Sequence, residues 1–283
     1  MSRKKKTKIL VCGSAQFLIS NFIRYILYRS QDYNIVSVDN LEKPSDIKRI
    51  YFHKNHRFYV GDSSDEYFID RIFYIERPNI IICGDEQLDY EKLLKTAQNL
   101  IKFNVPIITI SPTVCCGEGN DLYGIYSSVD KFITTNRGMV IRLPNRFGMR
   151  QRPSMLEKQG VNLAYIMGCV LNKIYFKVNN VELPWVYAED VASFLWYSIE
   201  NYQKGETIYM PPLGLKSGKD IVEKVIEMYN LKSVPHCVEE IPNANCGNEV
   251  YRMVGWIPDS QDMEHALEKT IKWFDVNRWA FNE

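Results

Sequence analysis

The sequence lacks any run of about 18 apolar residues, the length that a helix needs to cross a bilayer. It begins with the basic stretch MSRKKKTK, but the apolar segment and cleavage site of a signal peptide do not follow. We therefore predict a cytoplasmic protein with no membrane partner. Residues 1–7 are predicted to form a flexible basic tail.

Histidine is scarce, with 4 residues in a chain of 283, and no two histidines have metal-binding spacing. The 7 cysteines are an odd number, include no C-x-x-C motif, and several lie inside apolar runs. This pattern is typical of buried, reduced thiols and argues against a structural zinc site or a disulfide framework. We predict no metal site and a reducing compartment.

No charge of one sign dominates the chain. Lysine and arginine number 35 against 34 acidic residues, for a formal net charge of +1. This balance gives no electrostatic reason to expect a nucleic-acid partner. The sequence also has no internal repeat and no low-complexity linker.

The first half alternates short apolar runs with segments of helical periodicity. The apolar residues of the first helix recur between positions 19 and 27, and Pro78 ends the second helix. This alternation predicts an α/β fold, a Rossmann-like doubly wound parallel sheet with helices on both faces. The predicted strands cover 8–13, 34–40, 57–62, 79–85, 107–111 and 138–148, with helices over 66–78 and 90–106.

The second half has a different pattern, with longer helical segments and fewer strands. Ser217 and Asp220 have the spacing of a capping box at the start of one helix. We predict a dinucleotide-binding domain over 8–150 and a smaller C-terminal α/β substrate domain over 151–283, interleaved with the first. Its predicted segments are a loop and helix over 153–174, a short extended piece and helix over 184–202, a strand over 206–211, and helices over 217–230 and 262–279.

Eight phrases, in order along nearly the whole chain, carry a family resemblance: ILVCGSAQFLISNFIRYIL, VSVDNL, FYVGDSSDEYFIDRIF, RPNIIICG, VIRLPNRFGMRQRP, WVYAEDVASFLWYSIE, GETIYM and GWIPDSQDMEHALEKTIKWFDVNRW. In order and spacing the chain resembles the extended short-chain dehydrogenase/reductases that act on nucleotide sugars, the dTDP-glucose and UDP-sugar 4,6-dehydratases and epimerases. The resemblance implies NAD or NADP as cofactor, a UDP- or dTDP-linked sugar as ligand, and a homodimer or pairing with an active relative.

The phosphate loop departs from the family pattern. A Rossmann loop uses glycines to make the turn, to admit the pyrophosphate and to let the helix lie on the strand. The resemblance places them at 13, 16 and 19, where this chain has Gly13, Gln16 and Ile19. The Gln16 side chain begins where the phosphate would lie, so we expect weak cofactor binding or none.

The resemblance assigns further residues to the cofactor. Asp39 would bond the adenosine ribose, favouring NAD over NADP, and Asp62 would meet the adenine. Each aspartate is equally well explained as a polar strand end that forms a turn. The full set of expected cofactor-binding residues is Gly13, Ser14, Gln16, Phe17, Leu18, Asp39, Asn40, Asp62 and Ser63.

The family's catalytic Y-x-x-x-K motif is out of register here. Four residues after Tyr123 stands Ser127, and four after Tyr126 stands Asp130. Lys131 lies five residues after Tyr126, so on a helix it points about 100° away from the direction that the motif requires. A free tyrosine with a pKa of ~10 is only about 0.1% ionised at pH 7, so losing the lysine forfeits a factor of ~10²–10⁴. Tyr126 or Tyr123, with Lys131, are the expected catalytic residues if activity remains.

The dehydration step also lacks its acids. The resemblance places an Asp–Glu pair just after the fifth strand, where this chain has Thr113 and Val114. Ser111 or Thr113 would fill the family's hydroxyl position. The adjacent Cys115 and Cys116 are predicted to be buried, inert thiols.

The substrate side keeps more of the family pattern. Asn145 matches an amide that would contact the substrate diphosphate, and Arg150 and Arg152 follow it closely. Arginine suits bidentate phosphate contacts, although surface charge explains these two equally well. Leu183 replaces an arginine that would hold phosphate.

Three functions stay open from the sequence. In the first, the protein keeps the fold and nucleotide-sugar binding but has lost or altered catalysis, as a pseudoenzyme. The second is an active, divergent NAD(P)-dependent 4,6-dehydratase or epimerase. The third is a purely structural partner protein with an empty cleft.

Overall fold

The computed structural model describes residues 6–84, 90–112, 121–153, 162–233, 236–239, 255–260 and 262–281. Within them, a seven-stranded sheet in which every neighbouring pair is parallel forms the centre of the molecule. The order β3-β2-β1-β4-β5-β6-β10 is that of a Rossmann sheet with one added strand. Its strands are β1 (Thr7–Cys12), β2 (Tyr33–Asp39), β3 (His56–Val60), β4 (Ile80–Gly84), β5 (Ile107–Pro112), β6 (Met139–Leu143) and β10 (Thr207–Tyr209).

Helices cover both faces of this sheet because its strands are apolar on both sides. One face packs against α1 and α6, and the other packs against α2 and α3, with α4 beside α3 and β6. Asp65 caps α2 by accepting a hydrogen bond from the amide of Phe68. The helices are α1 (Phe17–Arg29), α2 (Glu66–Glu76), α3 (Tyr90–Ile101), α4 (Asp121–Thr135) and α6 (Ala188–Glu200).

The remaining elements of the second half form their own core around Phe147, Trp185 and Phe274. The predicted capping box is confirmed, because the Ser217 hydroxyl accepts from the amide of Asp220, whose carboxylate bonds Ser217 in return. Two small sheets have the orders β11-β9-β7 and β12-β8. These elements are β7 (Asn145–Phe147), α5 (Leu163–Asn172), β8 (Phe176–Asn179), β9 (Leu183–Tyr187), β11 (Gly214–Lys216), α7 (Gly218–Met228), β12 (His236–Glu239) and α8 (Met263–Val276).

The predicted fold class, a doubly wound parallel sheet, is confirmed. The predicted sixth strand over 138–148 is wrong as one element. Pro144 separates β6, in the large sheet, from β7, in the three-stranded sheet. The strands β8, β11 and β12 were not predicted, since runs of three or four residues carry little periodicity.

The division into domains at residue 150 stays a prediction. Two elements that follow residue 150 pack with elements that precede it: α6 packs on α1, and β10 completes the large sheet beside β6. No described helix has the length and apolar character needed to span a membrane. Within the described ranges, no cluster of three His, Cys, Asp or Glu side chains is arranged to hold a metal ion.

Candidate functional site

The strand order reverses between β1 and β4, and in open α/β sheets this is the point where ligands bind. A cleft lies there at the carboxyl ends of the strands, lined by residues from β1, β4, the ends of β2 and β3, and α3. Side chains fill most of it and leave a cavity of about 40 Å³, room for a few water molecules.

The phosphate loop is occupied by its own side chains. Gly13 has φ 78°, and a Cβ atom placed on it would lie 2.6 Å from Cδ and Oε1 of Gln16. Ile19 packs against Gly84, where an added Cβ would lie 2.6 Å from Ile19 Cγ1. The side chains of Gln16 and Ile19, which stand where the resemblance places glycines, therefore fill the space over the turn and at the end of β4.

The predicted ribose ligand Asp39 bonds the protein's own backbone. Its Oδ2 accepts from the amide of Ala15 at 2.8 Å, and its Oδ1 accepts from the amide of Leu41 at 2.9 Å. Burial raises the pKa of this carboxyl, and the two amide hydrogen bonds oppose that rise. Asp39 thereby fixes the turn after β1 to the end of β2.

Ion pairs lie across the side of the cleft where the adenine of a cofactor is expected. Lys92 of α3 lies 3.3 Å from Oδ2 of Asp62 and 3.2 Å from Oε1 of Glu42. Burial works against ionisation of Asp62, but hydrogen bonds from Ser64 and the charge of Lys92 bring its pKa below the ordinary value. Lys92 and Glu42 were not predicted, because no sequence spacing links them to Asp62.

A second bridge involves Asp46, which is fully buried in the turn over Pro44–Arg49. Its carboxylate pairs with Arg152 and, at 3.5 Å, with Arg49. Arg152 thus lines the same cleft as Gly13 and Asp39, and its predicted role toward a substrate stays a prediction. This network joins the 44–49 turn to the segment after β7.

The other predicted cofactor residues surround the same loop. Phe17 and Leu18 begin α1 and are buried in the core, and Ser14 is also buried. The side-chain amide of Asn40 donates to Glu42 at 2.9 Å, and the hydroxyl of Ser63 lies 3.4 Å from that of Thr96.

Tyr126 and Lys131 do not share a face of α4. Tyr126 is 6% exposed and packs with Leu93, Ala97 and Val140, whereas Lys131 points to solvent. The side chain of Tyr123, together with Thr113, Cys115 and Cys116, lies outside the described residues. Their predicted roles stay predictions.

The position four residues after Tyr126 holds a buried ion pair. Oδ2 of Asp130 lies 2.7 Å from Nη2 and 2.8 Å from Nε of Arg142, on β6. Burial raises the pKa of Asp130, and the arginine charge opposes the rise. Arg142 also donates to the Ser127 hydroxyl at 3.3 Å. An arginine inside the apolar run GMVIRLP was the sequence signal for a buried acidic partner.

The three predicted substrate residues do not converge. The Asn145 amide donates to the carbonyl of Pro184 at 3.3 Å, which joins β7 to β9. Arg150 lines a different cavity, beside α1, and Arg152 lines the cleft. Ser111, the predicted hydroxyl residue, is buried at the end of β5.

As arranged, the cleft does not fit a dinucleotide. The Gln16 amide occupies the space over Gly13 through which a pyrophosphate reaches the helix N-terminus. Both Asp39 oxygens already accept backbone hydrogen bonds, and Lys92 spans the adenine side. We therefore derive no hydride step from this geometry.

Comparison with known proteins identifies the fold. No protein-family model matches the chain. The low-salt glycan biosynthesis protein Agl12 of Haloferax volcanii is 25% identical over 261 residues, covering 77% of this chain and 81% of that protein.

Two solved structures cover almost the whole chain. The dTDP-glucose 4,6-dehydratase of Bacillus anthracis, in complex with NAD, has a TM-score of 0.80 at 17% identity and covers 96% of this chain and 98% of its own. The UDP-glucose 4-epimerase of Thermotoga maritima, with UDP-glucose, has a TM-score of 0.77 at 19% identity and covers 96% and 100%. The resemblance to nucleotide-sugar dehydratases and epimerases is confirmed for the fold, that of the extended short-chain dehydrogenase/reductases.

Proposed function

We propose that this protein binds a nucleotide sugar on the fold of the 4,6-dehydratases and epimerases, but has lost their oxidation and dehydration chemistry. The observation that carries the proposal is the Asp130–Arg142 pair in the place of the catalytic lysine. A carboxylate near a tyrosine raises the tyrosine pKa and so opposes its action as a base. Arg142 already pairs with the Asp130 carboxylate, so the negative charge of that carboxylate is partly neutralised.

The phosphate loop supports the same proposal from a second direction. The Gln16 side chain and Ile19 fill space that the family keeps open with glycine. NAD or NADP remains the cofactor to test, because the similar dehydratase was crystallised with NAD. UDP- and dTDP-sugars are the ligands to test, because the similar epimerase structure contains UDP-glucose and the similar dehydratase is named for dTDP-glucose.

A divergent, active dehydratase or epimerase is the second candidate. Arg142 favours it, because this arginine brings a permanent positive charge within hydrogen-bond distance of Ser127, next to Tyr126 in the chain. In that case Arg142 would take over part of the missing lysine's role. The third candidate, a structural partner for a second copy or an active relative, requires no ligand.

Incubation with NAD and UDP-glucose, UDP-GlcNAc or dTDP-glucose tests dehydratase turnover directly. We expect no 4-keto product, measured as the loss of one water by mass spectrometry, above the level of Tyr126→Phe. Product that falls ~10²-fold or more in Tyr126→Phe would overturn the proposal and favour the active enzyme.

A thermal-shift panel with NAD, NADP and the same sugars tests binding. We expect the sugars to raise the melting temperature and NAD to have little effect, since stabilisation follows RT ln(1 + [L]/Kd). Gln16→Gly should increase the NAD-induced shift, because it removes the side chain that lies over Gly13, and glycine is tolerated at an N-cap. Gln31→Gly, at an exposed turn, is the matched control. If no ligand raises the melting temperature, the function as a structural partner is the remaining candidate.

A further inference from the structure

A second cavity of about 560 Å³ lies outside the cleft, along the outer face of α1. Its wall also includes Tyr51, the segment after β7, the start of α6, and α8. It shares no lining residue with the cofactor cleft. Its volume falls within the range of about 300–1,000 Å³ usual for small-molecule sites.

The cavity has more positive than negative charge. Four cations and one carboxylate line it, and two of the cations have acidic partners. Lys269 lies 2.5 Å from Glu189, and Arg29 lies 3.0 Å from Asp259. Among the described residues, Arg24 and Arg150 form no salt bridge, so two positive charges face the cavity without a carboxylate bound to them.

Arg24 is held in place by uncharged groups. Its guanidinium lies 4.7 Å from the centre of the Tyr51 ring and donates to the carbonyl of Arg49 at 3.4 Å. Its Nε is buried and has no hydrogen-bond partner. Burial lowers the pKa of this arginine, which reflects the cost of a cation that water reaches poorly and no acid neutralises.

Arg150 is oriented toward the same cavity by a fixed backbone. It has φ 71°, and its carbonyl accepts from Nε of Arg49 at 3.2 Å. Its Nη1 donates to the side chain of Asn21 at 2.8 Å. Burial and then the charge of Arg24 lower the pKa of Arg150 to about 10, so the two arginines repel each other.

We infer that this cavity binds a small phosphorylated molecule, whose phosphate group lies between Arg24 and Arg150. A phosphate would neutralise both guanidinium groups through charge-assisted hydrogen bonds. Tyr25, Tyr28 and Tyr51 form aromatic walls for the rest of the ligand. The inference does not rest on the proposed nucleotide-sugar function of the cleft.

Isothermal titration of the full-length protein with inorganic pyrophosphate, inorganic phosphate and glucose 6-phosphate tests the inference. We expect saturable binding of at least one of them, with sodium chloride at matched ionic strength measuring the non-specific salt effect. Arg24→Gln should weaken binding at least tenfold, whereas Lys95→Gln, which removes an equal charge on an exposed position of α3 away from the cavity, should leave it unchanged.

Two further readouts separate a binding role from a structural one. Without ligand, Arg24→Gln should melt no lower than the wild type, because the substitution relieves repulsion with Arg150. Arg24→Lys should bind more weakly than wild type but more tightly than Arg24→Gln, since it keeps the charge and loses the two-pronged geometry. The inference fails if no phosphate compound binds saturably, or if Arg24→Gln binds as tightly as Lys95→Gln.

Discussion

At the scale of single residues, the most informative feature is the ion pair between Asp130 and Arg142. Both side chains are less than a tenth exposed, and they join α4 to β6 in the protein interior. Taking two charges out of water is costly, so their mutual attraction must offset a large desolvation term. Removing one partner leaves the other as a buried, unpaired charge.

We predict that Asp130→Asn lowers the free energy of unfolding by about 3–5 kcal/mol, because Arg142 loses its carboxylate. The double variant Asp130→Leu, Arg142→Met should recover most of this loss, since it removes both charges. Urea unfolding of Asp130→Leu, Arg142→Met and the double variant measures the coupling. A loss in the double variant equal to the sum of the two single losses would show that the pair is not coupled.

At the scale of secondary-structure elements, Glu76 at the end of α2 joins three of them. It is 3% exposed and lies 3.0 Å from Lys8 of β1 and 2.5 Å from Arg57 of β3, with the Tyr59 hydroxyl at 2.6 Å. Burial would raise its pKa, but these hydrogen bonds and charges outweigh burial and lower the pKa to about 2. The ionised carboxylate therefore stabilises the packing of α2 against the edge of the sheet.

The sign of the resulting pH dependence follows from the lowered pKa. The stabilisation is fully present above the ordinary value of 4.5 and is lost as the pH falls toward about 2. We predict that Glu76→Gln lowers the free energy of unfolding at pH 7 by about 1–3 kcal/mol and flattens its dependence on pH below 4.5.

Urea unfolding at a series of pH values from 7 to 2.5 measures both effects. Glu66→Gln on the same helix is the matched control, because Glu66 is 59% exposed and, among the described residues, its ion pair is with Lys102. Its unfolding free energy should stay within about 0.5 kcal/mol of wild type. If the unfolding free energy of Glu76→Gln still fell below pH 4.5 as it does in the wild type, the assignment of this pH dependence to Glu76 would be wrong.

At the scale of the whole molecule, residues from the second half of the chain pack against elements of the first half. Asp259 accepts from the Tyr25 hydroxyl at 2.6 Å, Ser260 donates its amide to Asp190 at 2.9 Å, and the Trp256 indole donates to Ser193 at 3.1 Å. The segment 255–260 therefore bonds both α1 and α6. Together with β10, it makes the large sheet depend on the second half.

We predict that a fragment of residues 1–150 does not fold cooperatively, because α6 is missing from α1 and β10 from β6. The full chain should unfold in a single transition, and a fragment of residues 1–211, which regains α6 and β10, should recover part of the cooperativity. Urea unfolding followed by circular dichroism compares the three. A cooperative transition in the shorter fragment would support an independent domain ending at residue 150.

The elements of the large sheet could be predicted because their signals are local. Apolar runs such as KILVCG, the cap at Ser217 and the stop at Pro78 act on neighbouring residues in the chain. The same is true of the missing glycines at 16 and 19, whose consequence follows from the geometry of one turn. The split of 138–148 was missed because a change of sheet leaves almost no local pattern.

The sequence alone therefore determined the fold class, the strands of the large sheet, and the replacement of the phosphate-loop glycines and of the lysine of the Y-x-x-x-K motif. Only the tertiary structure decided which charges meet: Lys92 with Asp62, Asp130 with Arg142, and Arg24 with Arg150 across the second cavity. The reason is physical. Backbone periodicity is set by adjacent residues, whereas the energy of a charge depends on burial and on partners brought together only when the chain has packed.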